Sequence, residues 1–252
     1  MEPLKPSFVS VTYGAGGTTR ERTHDLVVSI LRDTAMLPMA HLTCAAHTLD
    51  DLVEIVTRYR DEGVRNILAL RGDPPADVDV PSGELDFATD LVGLVRDIGD
   101  FAIGVAVHPE GHPASRGRAE DRRRQAEKLA LADFGVSQLF FEAEVWSTFV
   151  EEMRSLGVVA PLIPGIMPVT NVKSVKRMAA MSGADFPAWL EARLRAVEDD
   201  PAAMHRVGVE AATDLCRRLL DDGVAGLHFY TLNRSSATRE IHANLGLGAR
   251  RR

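Results

Sequence analysis

Seven times along this chain a short apolar run ends in polar residues and gives way to an amphipathic helical stretch. That alternation restricts the fold more than any single motif does. The runs are Phe8 to Tyr13, Met39 to Cys44, Asn66 to Leu70, Ala102 to His108, Val136 to Glu142, Ala160 to Pro168 and Gly226 to Leu232. They are rich in Val, Ile, Leu and Phe without clean alternation, the writing of strands buried on both faces. Between them apolar residues recur at three and four spacing, as in Leu26, Val27, Ile30 and Leu31, or Leu52, Ile55, Val56 and Tyr59. Each helix therefore carries one core-facing stripe. Thr18 with Glu21 and Thr48 with Asp51 have the spacing of capping boxes, and Gly63, Gly157 and Gly223 stand just past helix ends. Unbroken strand and helix alternation predicts an α/β fold, a (β/α)8 TIM barrel whose first β/α unit is missing, with residues 1–252 as one domain.

Composition narrows the function classes. A net charge of −7 argues against a general nucleic-acid binder, and the basic run Arg116 to Arg124 reads as a solvated helix face. The chain has two cysteines, Cys44 and Cys216, far apart and without metal-like spacing. They are expected to be small buried hydrophobes in a reducing cytoplasm, and no metal site is expected. No apolar run is long enough to span a bilayer, and no signal peptide is read at the N-terminus.

In a barrel the chemistry gathers at the C-terminal strand ends, and these ends are polar here. The second run ends near His41, Thr43 and Cys44, and the third in Arg71, Gly72, Asp73, Pro74 and Pro75. The fourth ends in His108, Pro109, Glu110, Gly111 and His112, the fifth holds Gln138, and the seventh closes on Tyr230, Thr231, Asn233 and Arg234. Such a set suits a planar, hydrogen-bonding, partly anionic ligand at one mouth. Asp73, at a strand end, reads as a carboxylate for a developing cation in preference to a loop cap. Gln138 is balanced between a ligand contact and an interior hydrogen bonder. Gly14, Gly16 and Gly17 lack the full spacing of a phosphate loop and read as a turn. His108 and His112 are four apart, but Pro109 and Pro113 argue against the helix a zinc pair needs. Trp146 and Trp189 are expected in the core.

The segments PSFVSVTYGAGGTTRERT, MAHLTC, NILALRGDPP, HPEGHP, SQLFFE, LIPGIMPVTN and GLHFYTLNRS, in this order, resemble methylenetetrahydrofolate reductases, and the likeness runs from about Pro6 to Gly248. The proline-glycine turn at Pro164 and Gly165 is weak alone, whereas seven motifs in register are strong. The resemblance implies reduction of 5,10-methylenetetrahydrofolate to 5-methyltetrahydrofolate by a reduced flavin, FAD, with NADH or NADPH as co-substrate. The substrate it implies is a small-molecule folate, and the protein is expected to be a cytoplasmic homo-oligomer that, from its charge and composition, binds neither nucleic acid nor membrane. The resemblance places Thr12, His41, Arg71, Gly72, Asp73 and His112 at the flavin, with His108 in the place of a flavin-contacting Tyr. Asp121 and Lys128 fall at the adenosine and phosphate portions. Asp73 and Gln138 face the pterin ring, and Arg234 lies near the folate end. Ser174 and Met178 stand where the family has a Gln and a Phe that serve nicotinamide and substrate. The turn after Lys128 is one residue short, with Ala132 in place of a Gly. The family's opening strand, with the Glu that protonates the substrate, has no counterpart, so an in-frame extension of roughly 40 residues upstream of Met1, one barrel unit, is expected. Two other readings use the same residues: a noncatalytic folate or flavin binder, and a reductase that takes hydride directly from nicotinamide.

Overall fold

The computed structural model describes residues 1–12, 17–73 and 83–247, and of residues 17–20 the backbone alone. It is an α/β fold whose seven strands follow the sequence in sheet order. They are β1 (Val9–Val11), β2 (Pro38–Thr43), β3 (Asn66–Leu70), β4 (Ala102–Val107), β5 (Phe134–Leu139), β6 (Leu162–Ile166) and β7 (His228–Phe229). Nine helices alternate with them among the described residues: α1 (Gly17–Asp33), α2 (Leu49–Asp61), α3 (Ala88–Ile98), α4 (Arg118–Leu131), α5 (Ala143–Ser155), α6 (Val172–Ser182), α7 (Ala188–Arg195), α8 (Pro201–Asp221) and α9 (Ser236–Asn244). The expected class, a barrel-type chain of seven parallel strands one unit short, is the class observed. The chain divides into two compact units, one of Glu2–Ala106 with Glu127–Gly135, the other of Met1, Val107–Ala126 and Val136–Arg252.

In the first unit β1 to β4 pair in parallel, with Val9 opposite Pro38, Leu42 opposite Ala69 and Ile67 opposite Ile103. The central strands are apolar because both their faces are covered: Met39, Ala40, Leu42, Ile67 and Ala69 are fully buried. Helix α2 buries the expected stripe of Leu52, Val56 and Tyr59. In α1, Val27 is buried, whereas Leu26 is 51% exposed and lies off the stripe. The α4 to β5 link is clamped by Asp133, whose N–H donates to the Ile103 carbonyl and whose carboxylate accepts from the Ile103 N–H and from Arg96.

Thr48 closes the capping box read from the sequence: its hydroxyl accepts from the Asp51 N–H at 3.1 Å, and the Asp51 carboxylate accepts from the Thr48 N–H at 2.9 Å. Thr48→Ala should lower stability by about 1 kcal/mol, which for a chain of this size moves the thermal midpoint down by about 2–4 °C. An unchanged midpoint in a circular-dichroism melt would show that the cap contributes nothing. The companion pair, Thr18 with Glu21, falls differently. Helix α1 has already begun at Gly17, and the Thr18 side chain lies outside the described residues, as do Gly14 and Gly16.

In the second unit β6 and β7 pair in parallel, Gly165 opposite His228 and Ile166 opposite Phe229. Pro164 and Gly165, read as a turn, lie inside β6. Glycine is placed there by a close backbone approach, since a Cβ at 165 would run into the Ser137 carbonyl oxygen. Helix α8 is started by Asp200, which accepts from the N–H groups of Ala202 and Ala203, and by Pro201 at its first position. A buried cluster of Leu139, Met167, Val169, Val175, Leu190 and Leu194 fills the space under α6 and α7. Trp146 is buried as expected. Trp189 is not in the core: it is 45% exposed, with its indole N–H donating to Glu142. Its indole needs an acceptor, and the Glu142 carboxylate offers one at the surface. Gly63, Gly157 and Gly223 all have positive φ, as helix-ending glycines should. Both cysteines are free and buried, and burial pushes the Cys44 thiol up to about 11 and the Cys216 thiol up to about 12.

Candidate active site

In the first unit the candidate residues follow the ends of β1, β2 and β3. Thr12 comes directly after β1 and is exposed. His41 lies within β2, in register with Leu68 and half-buried. The hydrogen bonding of β2 to β3 continues beyond the strands, the Cys44 N–H donating to the Leu70 carbonyl at 3.1 Å and the Ala45 N–H to the Arg71 carbonyl at 3.0 Å. This extension fixes the backbone of Arg71. The next residue, Gly72, turns the chain at φ +79°, and a Cβ there would come within 2.9 Å of both the Ala45 and Thr43 Cβ atoms. Only glycine meets both demands. The clamp and the turn together present Arg71 and Asp73 as exposed side chains at the end of β3. Pro74 and Pro75 lie outside the described residues. Lys128 is on the last turn of α4, half-buried, away from the strand ends that carry the others.

In the second unit His108 directly follows β4 and His112 stands four residues later, across a turn closed by the Gly111 N–H on the His108 carbonyl at 3.1 Å. Gly111 has φ +98°, and residues 108–112 form no helix, in keeping with their prolines. The two imidazoles meet edge to face, their centroids 4.7 Å apart. Asp121, 2% exposed, stands behind this turn. Its Oδ1 accepts from the His112 N–H and the Ser115 hydroxyl, each at 2.9 Å, and its Oδ2 accepts from Arg122 at 2.9 Å and Gln125 at 2.5 Å. Burial pushes the Asp121 carboxyl up, but these donors outweigh it and hold the group below the usual carboxylate range. Asp121 therefore orders the His108 to Ser115 segment directly with Oδ1, while Oδ2 holds Arg122 and Gln125, which bond His108 in turn.

Glu110, in the same turn, is half-buried, and its carboxyl is pushed above the ordinary range by burial, against the opposing hydrogen bond it accepts from the Asp185 N–H at 2.9 Å. Gln138 is half-buried in β5, and its Oε1 accepts from the Leu139 N–H at 2.9 Å. That bond occupies one side of the amide. The neighbouring Ser137 accepts twice: its Oγ from the Gly165 N–H at 2.8 Å and its carbonyl from the Tyr230 hydroxyl at 2.7 Å. β5, β6 and the end of β7 are thus tied together beside Gln138. Arg234 follows β7 and is exposed, reached through Leu232 and Asn233 at φ 48° and 60°. Ser174 sits in the first turn of α6, where its N–H donates to the Asn171 cap, and Met178 packs partly buried on the cluster under that helix.

The structure thus joins His108, His112 and Asp121 directly, and Arg71, Gly72 and Asp73 as one pinned segment. Sequence reading missed Arg122 and Gln125, which lay inside a run taken as a solvated face. Arg116, Arg118, Arg123 and Arg124 do face solvent, but Arg122 is 4% exposed. It also missed the left-handed residues Ala46, Leu232 and Asn233 at strand ends, for which the sequence carries no signal except the Asn. Among the described residues no group of His, Cys, Asp and Glu is placed to hold a metal, and no helix is long and apolar enough to cross a membrane.

A sequence profile of methylenetetrahydrofolate reductases matches residues 1–246. The chain is 38% identical over 248 residues to the 5,10-methylenetetrahydrofolate reductase of Salmonella typhimurium, covering 98% of this chain and 83% of that protein. It is 35% identical to methylenetetrahydrofolate reductase (NADH) 1 of Arabidopsis thaliana, over 96% of this chain and 43% of the larger plant protein. A solved structure of a Clostridium thermocellum protein, described as binding two copies of 5-methyl-5,6,7,8-tetrahydrofolic acid, shares the fold with a TM-score of 0.57 at 16% identity, over 89% of this chain and 78% of that one. With a profile match over nearly the whole chain and relatives alike across 98% of it, the chain belongs to the methylenetetrahydrofolate reductase family.

Proposed function

We propose that this chain reduces 5,10-methylenetetrahydrofolate to 5-methyltetrahydrofolate with hydride from reduced FAD, which NADH or NADPH reduces in turn. The observation that carries the reading, beyond family membership, is the pinned Arg71–Gly72–Asp73 segment with an exposed carboxylate at the end of β3. The substrate's five-membered ring opens to an iminium cation as its departing nitrogen takes up a proton from solvent, the cation then accepts hydride at its carbon, and Asp73 supplies the fixed negative charge that such a cation needs. Gln138 orients the pterin through its amide, and Arg234 meets the acidic tail of the folate. A folate ligand on a protein of the same fold is in keeping with this substrate class.

The donor set suits a flavin dinucleotide. In the first unit Arg71 and the Thr12 hydroxyl offer a cationic and a neutral donor for phosphate and ring carbonyls, His41 offers an imidazole, and Gly72 keeps the backbone slim beside Arg71 and Asp73. His108 presents a ring where the family has a Tyr, and Asp121 holds the turn that bears it. When bound, the flavin supplies the hydride, and these residues bind it and orient the folate. The same reading makes the protein a cytoplasmic homo-oligomer.

Purified protein should be yellow and should release FAD on denaturation, identified by chromatography against authentic FAD and FMN. A colourless protein that oxidises nicotinamide in the presence of methylenetetrahydrofolate would replace this reading with direct transfer. A yellow protein without turnover would replace it with a noncatalytic binder.

A further inference from the structure

The first half of α4 buries a polar face. Asp121, Arg122 and Gln125 are 2, 4 and 4% exposed, an arrangement that costs free energy unless every donor and acceptor is met. For Arg122 every nitrogen is met. Nε donates to Glu152 of α5 at 2.7 Å, one terminal nitrogen to the His108 carbonyl at 3.0 Å and to Asp121 at 2.9 Å, and the other to the Pro109 carbonyl. The guanidinium lies 5.0 Å from the centroid of the Phe149 ring. Gln125 completes the frame: its Oε1 accepts from the His108 N–H at 2.7 Å, and its Nε2 donates to the His108 carbonyl at 3.0 Å. The peptide groups of His108 and Pro109 are thereby held on the α4 side, while the imidazoles of His108 and His112 meet each other. A hydrophobic face would have stabilised the helix as well or better. What the planar guanidinium adds is direction, because its fork fixes two successive carbonyls at once.

We propose that Arg122 is a positioning residue that sets the geometry of the His108 and His112 pair and so tunes the affinity of the ligand those imidazoles meet. The ligand part of this proposal rests on the flavin reading above; the orientation part does not. Lysine keeps the charge but is a point donor and cannot hold both carbonyls, Asp121 and Glu152 together. In full-length protein with histidines labelled for NMR, Arg122→Lys should shift the imidazole signals of His108 and His112, assigned by single His→Gln variants, while leaving those of His205 and His242 in place. FAD affinity, measured by fluorescence titration, should fall by about tenfold to a hundredfold, the scale of a modest misplacement. The far-UV circular dichroism should be retained. Glu152→Ala, which removes the acceptor of the Arg122 Nε at a half-buried site, should move both readouts in the same direction by less, and it carries the test if Arg122→Lys fails to fold. Unchanged imidazole signals and FAD affinity in a folded variant would overturn the proposal and leave Arg122 with a purely structural part. Wild-type protein that binds no FAD would defeat the flavin reading alone, and the imidazole signals would still decide whether Arg122 positions the pair.

Discussion

Replacing Asp73 by Asn is expected to slow the folate half-reaction by about 10²-fold or more, the scale of losing one electrostatic stabiliser of a transition state. Asn keeps the size of the side chain and most of its hydrogen bonding, so the change isolates charge. Nicotinamide oxidation measured with an artificial electron acceptor involves no iminium ion and should change much less. The separation of the two half-reactions is the informative quantity. A comparable loss in both would mean that Asp73 holds the cofactor or the loop after β3 and has no part in stabilising the cation. Asp73 sits beside Gly72, whose turn is sterically locked, so far-UV circular dichroism and the melting profile of the variant should match the parent and keep the comparison clean.

Gly165→Ala is expected to be strongly destabilising. The new methyl would run into the buried Ser137 carbonyl and lie 2.7 Å from the Tyr230 ring, and backbone in a parallel sheet cannot step aside without breaking its pairing with His228. A cost of about 3 kcal/mol or more follows from overpacking of this kind, and the thermal midpoint should fall by about 10 °C or the protein should become insoluble. Gly93→Ala is the matched control. Its added Cβ meets nothing within 4 Å on an exposed face of α3, so the change should be neutral or raise stability by up to about 1 kcal/mol. Equal behaviour of the two variants would refute the close approach at Gly165.

Much of this organisation could be read from residue order. The seven apolar runs became seven strands because burial on both faces demands Val, Ile and Leu without alternation, and that demand is local in the chain. Thr48 and Asp51 were legible for the same reason, as their partners lie three residues apart. The ends of the runs were less so. β7 was read across Gly226 to Leu232 and is a strand at His228 and Phe229, with one further hydrogen bond from the Tyr230 N–H to the Ile166 carbonyl, because apolar composition does not say where a neighbouring strand stops offering hydrogen bonds. Arg122 was hidden altogether. An arginine among arginines looks solvated until the carbonyls of His108 and Pro109, fourteen and thirteen residues earlier, are found beneath it. Trp189 was misplaced in the opposite sense, since its apolar neighbours Leu190 and Leu194 suggested burial that the helix grants to them alone. The position of Arg71 and Asp73 at the end of a strand was legible because glycine between charged residues after an apolar run is visible in one dimension. The clamp that gives them direction, Ala45 on Arg71, is not.

The two left-handed residues before Arg234 bear on how firmly its place in the chain is held. Leu232 and Asn233 hold a left-handed backbone shape that Asn tolerates and Leu resists, and Leu232 is also 60% exposed, so its side chain offsets little of that strain. Glycine at either position would relax the turn at once. The same change would widen the range of backbone shapes open to the residues that lead into Arg234.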